Sequence, residues 1–292
     1  MDLVIVSRTA LATSEEADRV IELTDGGSRL AVDIDDAFHL MDASHPQYDE
    51  YQAKVIALTN LMNASASVWC STEPLRDSLD QHHRDKANVI PNTIDPRLWR
   101  RYRKDLYEPR ASGRLEILYM ASVAHAPDLE YILSPLERLA SNYPGSFRLT
   151  VVGLDGTGAD PEWLRRLPPD RSDYPHFARW LRDLAGEFDV GVAPLIDTEF
   201  NRLKSDIKIL EYTALGLPVI ASPVGPYRNV EILDLCDSSD GWYETLAALT
   251  TDRENLDERR IRVEHAESTM WRQRRAAIAG QAILRMISVD VH

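Results

Sequence analysis

The sequence predicts an α/β protein made of two lobes, each built on a parallel β-sheet. Short apolar runs alternate with longer amphipathic stretches along almost the whole chain, which is typical of parallel strands joined by crossover helices. This alternation starts again after the turn-rich stretch Pro91–Pro96, which predicts the boundary between the lobes. With 292 residues, of which 44% are hydrophobic and 27% charged, the chain is long enough for two folded domains of ordinary composition.

The first series of elements precedes the Pro91–Pro96 stretch. Its predicted strands are the apolar runs Leu3–Ser7, Leu30–Ile34, Ser67–Cys70 and Asn88–Ile90. Its predicted helices are Ser14–Leu23, Tyr48–Met62 and Glu73–His82. Ser14 is a suitable N-cap for the first helix, which Asp25-Gly26-Gly27 would end. In the second helix, apolar residues recur at helical spacing from Tyr51 to Met62.

The second series follows the same rhythm. Its predicted strands are Leu115–Met120, Phe147–Val152, Val190–Ala193 and Pro218–Ser222. Its predicted helices are Asp128–Leu139, Arg179–Ala185, Ile207–Leu215, Gly241–Thr250 and a long one from Glu258 to about Met286. Together the two series predict a short amino-terminal lobe at residues 1–95, a second lobe at 96–265 and a carboxyl-terminal helix at 266–292. Because ligands of open parallel sheets bind beyond the carboxyl ends of the strands, we expect the functional residues in the loops that follow strands.

Charge and cysteine content exclude several classes of protein. The 33 Lys and Arg residues are outnumbered by 47 Asp and Glu, and the net charge of −14 argues against a protein that binds nucleic acid through its phosphates. The isolated cysteines Cys70 and Cys236 favour free thiols in a reducing compartment. The sequence shows neither an apolar run near the ~20 residues that span a bilayer nor a signal-peptide pattern, so we expect a cytoplasmic protein.

The stretch from Phe188 to Ser222 carries the clearest chemistry. It reads as a buried strand, a polar loop, a helix and a second buried strand. Ser205 or Asp206 would cap the helix, whose first amides and positive dipole end, with Lys204 beside them, suit a diphosphate. Glu211, about two turns further on, suits two sugar hydroxyls. The alternative is an exposed helix whose Lys204, Lys208 and Glu211 pair in solvent.

Several motifs then occur in a recognisable order. They are Val89-Ile90-Pro91-Asn92-Thr93-Ile94-Asp95, Leu118–Ser122 with His125 and Asp128-Leu129, Leu149–Gly153, and Leu210-Glu211-Tyr212 followed by Ala214–Ser222. In this order they resemble the donor-binding half of the GT-B glycosyltransferases of group 1, also called family four. The resemblance covers residues 88–222 well and residues 3–71 loosely. It implies two Rossmann-like lobes with parallel sheets, the amino-terminal lobe being truncated relative to the family.

The resemblance also implies a nucleotide-diphosphate sugar bound mainly by the second lobe and an acceptor bound mainly by the first. By position, Glu211 would hold the donor ribose, and Lys204 with the amides of Ser205 and Asp206 would hold the diphosphate. The full set of donor-binding residues implied is Glu211, Lys204, Ser205, Asp206, Asn201, Ser122 and His125. No metal or other cofactor is expected, because helix dipole and basic side chains neutralise the leaving diphosphate in this fold. The carboxyl-terminal helix would cross back to the first lobe with Trp271 as its anchor.

Three departures from the family pattern are visible. The family's second glutamate, eight positions before the ribose-binding one, is Leu203 here, and the loop Ala121–Asp128 offers only His125 as a basic residue. The first lobe is also short. These departures favour an alternative function, a non-catalytic glycosyltransferase-like subunit that needs a partner chain or homodimer for activity; a sugar-nucleotide epimerase of the same fold is a third reading.

The cluster Asp33-Ile34-Asp35-Asp36 follows a predicted strand and would direct carboxylates toward the ligand. Asp35 and Asp36 are candidate catalytic residues, with Asp35 as a base for an acceptor hydroxyl if burial raises its pKa. The alternatives are N-capping of the next turn or an ion pair with Arg8.

Enzyme is the leading function class. We expect a sugar to be transferred from a nucleotide-diphosphate sugar to a hydroxyl acceptor on a glycan, lipid or protein. The resemblance implies a reaction that retains anomeric configuration; if Asp35 is a true base, inversion is the alternative. Nucleic acid is not an expected partner, and Arg272, Arg274 and Arg275 beside Trp271 leave peripheral contact with the inner membrane face as a second reading.

Overall fold

The computed structural model describes residues 3–99, 113–156, 159–171, 173–252 and 254–266. Within them the chain forms two compact units. The first contains residues 3–92 together with 197–205, and the second contains residues 93–196 and 206–266. The predicted carboxyl-terminal helix at 266–292, with Trp271, falls almost wholly outside the described residues.

The first unit is a four-stranded parallel sheet with helical crossovers. Its elements in chain order are β1 (Val4–Ser7), α1 (Ser14–Leu23), β2 (Leu30–Ile34), α2 (Tyr48–Ala64), β3 (Ser67–Cys70), α3 (Glu73–Asp77), α4 (Gln81–Asp85) and β4 (Ala87–Val89). The strand order is β1-β2-β3-β4, the same as the order along the chain. Right-handed crossovers between strands added in one direction place the connecting helices on one face of the sheet.

The core of the first unit lies on that face. In register across the sheet, Val6, Val32 and Val68 form one buried row. Ala17 of α1 and Leu61 of α2 pack against the same cluster. The start of α1 is fixed by a capping box in which Thr13 and Glu16 bond each other's backbone amides. The N-cap is therefore Thr13, one residue before the predicted Ser14.

The second unit is a six-stranded parallel sheet with helices on both faces. Its elements are α5 (Pro96–Trp99), β5 (Leu115–Met120), α6 (Ala126–Asn142), β6 (Phe147–Val152), β7 (Leu164–Leu167), α7 (Tyr174–Leu184), β8 (Val190–Ala193), α9 (Ile207–Ala214), β9 (Val219–Ala221), β10 (Asp234–Leu235) and α10 (Ser239–Thr251). Residues 254–266 form a further helix. The strand order is β10-β9-β8-β5-β6-β7, so the direction of winding reverses between β5 and β8.

Each face of the second sheet has its own core. All six residues of β5 are buried. Leu115, Ile117 and Tyr119 contribute to a cluster that includes residues of α6 and α10, whereas Leu118 and Met120 contribute to one that includes residues of α7 and α9. This is why β5 is a continuous apolar run rather than an alternating one.

Residues 197–205, between β8 and α9, belong to the first unit. It contains the short helix α8 (Glu199–Arg202), whose Phe200 is buried in the first unit's core with its ring edge toward His45. The carbonyl of Leu203 accepts a hydrogen bond from Thr72 Oγ1 at 2.8 Å. The first unit is therefore built from two separate parts of the chain.

The predicted fold class, an α/β protein with two parallel sheets, is confirmed. Some elements differ in detail. The predicted helix Glu73–His82 is two short helices, because Asp80 caps a new helix by accepting the His83 amide. The α7 helix begins at Tyr174, earlier than predicted, because Asp173 caps it. The strands β7 and β10 were not predicted. No helix among the described residues is both long and apolar enough to cross a membrane.

Candidate functional site

The candidate site lies at the carboxyl ends of β5 and β8, where the second sheet reverses its winding direction. These two strands pair only at Ile117 with Val190 and Leu118 with Gly191, so they separate toward their carboxyl ends. Crevices of this kind are where open α/β sheets bind their ligands. Within the second unit, the loop after β5, residues 194–196 after β8 and α9 lie at this edge of the sheet.

The loop after β5 is organised around the buried carboxylate of Asp128. This residue is 3% exposed and accepts two hydrogen bonds, from His125 Nδ1 at 2.7 Å and from the Ile196 amide, in the loop after β8, at 2.8 Å. Because a carboxylate only accepts, His125 carries its proton on Nδ1 in this contact. Tyr119 OH donates to the His125 carbonyl at 2.9 Å. The buried Asp128 carboxylate thus fixes the His125 imidazole, and Ser122, at the start of this turn, is exposed.

The helix α9 brings a positive end and a lysine to the same edge of the sheet. Asp206 is its N-cap residue, but the Asp206 side chain makes no capping hydrogen bond. The hydroxyl of Ser205, the residue before it, accepts a hydrogen bond from Asn92 Nδ2 at 2.8 Å. Lys208 in the first turn lies with Nζ 5.3 Å from the centre of the Tyr119 ring. The amide ends of the first turn and the Lys208 charge suit an anionic ligand.

Glu211 lies one turn after Lys208 and is bound by Tyr174. Tyr174 OH donates to Glu211 Oε1 at 2.9 Å, and Trp99 Nε1 donates to Tyr174 OH at 3.0 Å. Burial raises the pKa of Glu211 from its ordinary 4.5 to about 7, against the lowering effects of the Tyr174 hydrogen bond and the Lys208 charge. Burial likewise raises the pKa of Tyr174. The phenol is therefore a stable donor toward the carboxylate.

A tyrosine wedge fixes α9 to the sheet. The ring of Tyr212 is fully buried, and its hydroxyl sits between the separating strands β5 and β8. It accepts from the Met120 amide at 3.0 Å and lies 3.2 Å from the Leu118 carbonyl and 3.0 Å from the Val192 carbonyl. Gly191 makes room for it, because a Cβ there would lie 2.6 Å from the Tyr212 ring. The neighbouring Glu211 is thereby held at a fixed place along the sheet edge.

The other donor-binding residues predicted from the sequence lie in the first unit. Lys204 Nζ lies 5.0 Å from the centre of the Phe200 ring, and Asn201 is nearly buried in α8. Leu203, where the family carries a second glutamate, packs against the first unit's core as an apolar anchor. The part that Lys204, Ser205 and Asn201 play in donor binding stays a prediction.

The candidate catalytic carboxylates are ion-paired. Arg8 Nε contacts Asp35, and Arg8 Nη2 lies 3.0 Å from Asp36 Oδ2, with the guanidinium 4.8 Å from the centre of the Phe38 ring. This is the ion pair that the sequence left open as an alternative. Burial raises the pKa of Asp33 instead, although the Arg8 charge opposes the shift. The assignment of Asp35 and Asp36 as catalytic residues stays a prediction.

Sequence reasoning missed three side chains that organise the site. Trp99 and Tyr174 lie far from Glu211 along the chain, and no local pattern marks them as its partners. Tyr212 belongs to one of the ordered motifs, but its role as a wedge depends on Gly191 in another strand. Among the described residues, no group of three or more His, Cys, Asp or Glu side chains could hold a metal ion.

Residues 114–252, which include His125, Tyr174 and Glu211, match the family model described as "Glycosyl transferases group 1". A protein of Bacillus subtilis (strain 168) that is named for a glycosyltransferase role in teichuronic acid biosynthesis, TuaH, is 23% identical over 187 residues. That match covers 59% of this chain and 45% of the relative, so it spans less than half of the relative's length.

Two solved structures show the same fold at low sequence identity. The α,α-trehalose 6-phosphate synthase of Burkholderia multivorans is 16% identical with a TM-score of 0.65, and the match covers 99% of this chain and 72% of that one. HepE of Anabaena, solved with UDP-glucose, is 15% identical with a TM-score of 0.62, and the match covers 99% of this chain and 79% of that one. The chain therefore has the GT-B fold of these two proteins, and its residues 114–252 match the model of the group 1 glycosyl transferases.

Proposed function

We propose that this protein transfers a sugar from a nucleotide-diphosphate sugar to a hydroxyl acceptor. The observation that carries the proposal is the position of Glu211 within the group 1 domain. It lies at the switch point of the second sheet, bound on one oxygen by Tyr174 and one turn beyond Lys208. A carboxylate there suits ribose hydroxyls, while the first turn of α9 and Lys208 suit the diphosphate.

The loop after β5 supports the same proposal. His125 and Ser122 lie in that loop, and the buried Asp128 holds the His125 ring. The first unit would bind the acceptor, a glycan or a lipid- or protein-linked sugar. We further propose a retaining, metal-independent reaction: the acceptor oxygen bonds to the anomeric carbon on the face from which the diphosphate leaves, the bond from that carbon to the phosphate oxygen breaks, and the departing phosphate takes the hydroxyl proton. The anomeric configuration of the first product and activity in the presence of a chelator test these two points.

Nucleotide binding tests the core of the proposal. The purified protein is titrated by calorimetry with UDP, GDP, ADP and dTDP, UDP first because HepE was solved with UDP-glucose. The Glu211→Gln variant removes the charge with little change of shape, and Glu254→Gln, at an exposed position of the last described helix, is its matched control. We expect one of the four nucleotides to bind to the wild type. Glu211→Gln should bind it at least tenfold more weakly, and Glu254→Gln should bind it as the wild type does. Equal binding by all three proteins would show that the donor site is elsewhere.

A second candidate function is supported by the first unit. The ion pairs between Arg8 and both Asp35 and Asp36 occupy the carboxylates that an acceptor-activating base would need. This favours a glycosyltransferase-like subunit that binds the nucleotide and is active only with a partner chain or a second copy. Nucleotide binding without sugar transfer or donor hydrolysis would support the subunit, and turnover by the isolated chain would exclude it.

We also propose that the protein works in a reducing compartment, at the cytoplasmic side of the membrane if it contacts one. Cys70 and Cys236 are both buried free thiols. Burial raises the pKa of Cys70 to about 12 and also raises that of Cys236, so both thiols are protonated and unreactive at neutral pH.

A further inference from the structure

We propose that Tyr174 and Trp99 are positioning residues for the nucleotide donor. Through a hydrogen-bond chain that runs in one direction, they hold Glu211 Oε1 and leave Oε2 to take a ribose hydroxyl. The inference rests on the proposed function, since it assigns how the donor-binding carboxylate is presented.

The direction of this hydrogen-bond chain follows from the chemistry of its first donor, the Trp99 indole. An indole N–H can only donate, so Tyr174 oxygen must accept from Trp99 Nε1 at 3.0 Å. The single phenolic proton is then available only for Glu211 Oε1, 2.9 Å away. Glu211 Oε2 makes no hydrogen bond or ion pair to any residue that the structure describes. The carboxylate is therefore presented to a ligand through one defined oxygen.

Trp99, the first donor of the hydrogen-bond chain, is held firmly by its surroundings. Trp99 is fully buried, and its ring lies 6.1 Å from that of Tyr174 and 6.4 Å from that of Phe177, centre to centre. Arg182 Nη1 donates to the Leu98 carbonyl at 3.2 Å, which ties α5 to α7. Tyr174 itself is 45% exposed. A buried donor thus directs a phenol that solvent and ligand can reach.

The hydrogen bond from Tyr174 to Glu211 has a measurable effect on the pKa of Glu211. Burial favours the neutral form of Glu211, while the Tyr174 hydrogen bond and the Lys208 charge favour the carboxylate. Among the described residues, Tyr212 and Tyr227 interact electrostatically with Glu211, and Tyr227 also interacts with Asp128 and Asp206. Burial keeps the two tyrosines protonated by raising their pKa, so they add no charge at neutral pH. Removing the Tyr174 hydroxyl therefore moves Glu211 toward its protonated form, which is a poorer acceptor for ribose.

The experiment compares UDP binding across pH 5.5–8.5 for the wild type, Tyr174→Phe and Trp99→Phe. Tyr131→Phe is the matched control, because Tyr131 is 40% exposed and its hydroxyl donates to the Asp237 carbonyl, away from Glu211. We expect wild-type affinity to fall as the pH drops below about 7, where Glu211 becomes protonated. In Tyr174→Phe the midpoint should move up by about one pH unit, with affinity at pH 7 reduced about fivefold to tenfold. Trp99→Phe should also raise the pH midpoint of UDP binding, but by less than Tyr174→Phe does.

A second readout separates this inference from the proposed function. The ¹³C shift of the Glu211 carboxyl is followed against pH in the nucleotide-free protein, where Tyr174→Phe should raise the midpoint and Tyr131→Phe should not. If the wild type binds UDP and Glu211→Gln does not, but Tyr174→Phe keeps the wild-type pH profile or binds more tightly, the positioning role is wrong and the donor site stands. If the wild type binds no nucleotide, both the positioning role and the proposed donor site are wrong.

Discussion

The hydroxyl of Tyr212 is expected to be one of the largest single polar contributions to the stability of the second unit. Replacing Tyr212 by Phe keeps the ring but leaves the buried Met120 amide without its acceptor, which costs about 1–3 kcal/mol. The hydroxyl proton also serves one of the Leu118 and Val192 carbonyls at a time, which adds about 1 kcal/mol. The expected loss is therefore about 2–4 kcal/mol, which would lower the melting temperature by about 5–10 °C.

Urea unfolding and amide hydrogen exchange measure this loss. The matched control is Tyr243→Phe, which removes a hydroxyl that accepts from Asn142 Nδ2 at the protein surface and should cost less than about 0.5 kcal/mol. In Tyr212→Phe the Met120 amide should also exchange faster, because its acceptor is gone. If Tyr212→Phe unfolds within about 0.5 kcal/mol of the control, and the Met120 amide exchanges as before, the wedge does not stabilise the strands as argued.

Three further substitutions in the same region have defined outcomes. Gly191→Ala should destabilise the protein by about 1–3 kcal/mol in thermal unfolding, because the new methyl would meet the Tyr212 ring at 2.6 Å; an unchanged melting temperature would contradict the close packing. Asp128→Asn should change the ¹⁵N shifts of His125 toward the tautomer protonated on Nε2, since an amide that accepts from Ile196 turns its NH₂ toward Nδ1; unchanged shifts would refute that coupling. Glu211→Gln should raise the unfolding free energy above pH 7 by at most about 3 kcal/mol and leave it unchanged below pH 4.5, because the folded-state pKa lies near 7 and the ordinary value is 4.5. In the wild type, the unfolding free energy should therefore fall as the pH rises from 4.5 to about 7, because Glu211 loses its proton there. A wild-type unfolding free energy that does not change over this pH range would contradict the argument.

Most of the fold was predictable because apolar periodicity follows burial. The run Leu115–Met120 is apolar almost throughout since β5 is covered on both faces. The strand β7 was missed because Arg165 and Arg166 interrupt its apolar pattern. Among the described residues this strand lies at the edge of the sheet and pairs with β6 alone. Arg166 forms an ion pair with Asp160, so the strand carries charged side chains and lacks a continuous apolar run.

The site was predictable only in part. Glu211 and the loop with His125 were found because their types and spacing resemble a known family. The partners of these residues were not, since Trp99 and Tyr174 reach Glu211 through tertiary packing that leaves no local signal. Of the two predicted caps of α9, Asp206 is the N-cap residue but makes no side-chain capping bond, and Ser205 is bound by Asn92, which is far away in the sequence. Contacts of this kind are set by the fold and not by the residues next to them in sequence.

The placement of α8 has a consequence for how the chain acquires its structure during synthesis. Phe200 and Leu203 complete the core of the first unit, yet the ribosome makes them only after β5, β6, β7 and β8 of the second. A nascent chain that ends before α8 holds an amino-terminal sheet whose apolar core lacks Phe200. The first sheet can therefore start to form early but reaches its final packing late, and a fragment cut after β4 would lack residues that this sheet needs.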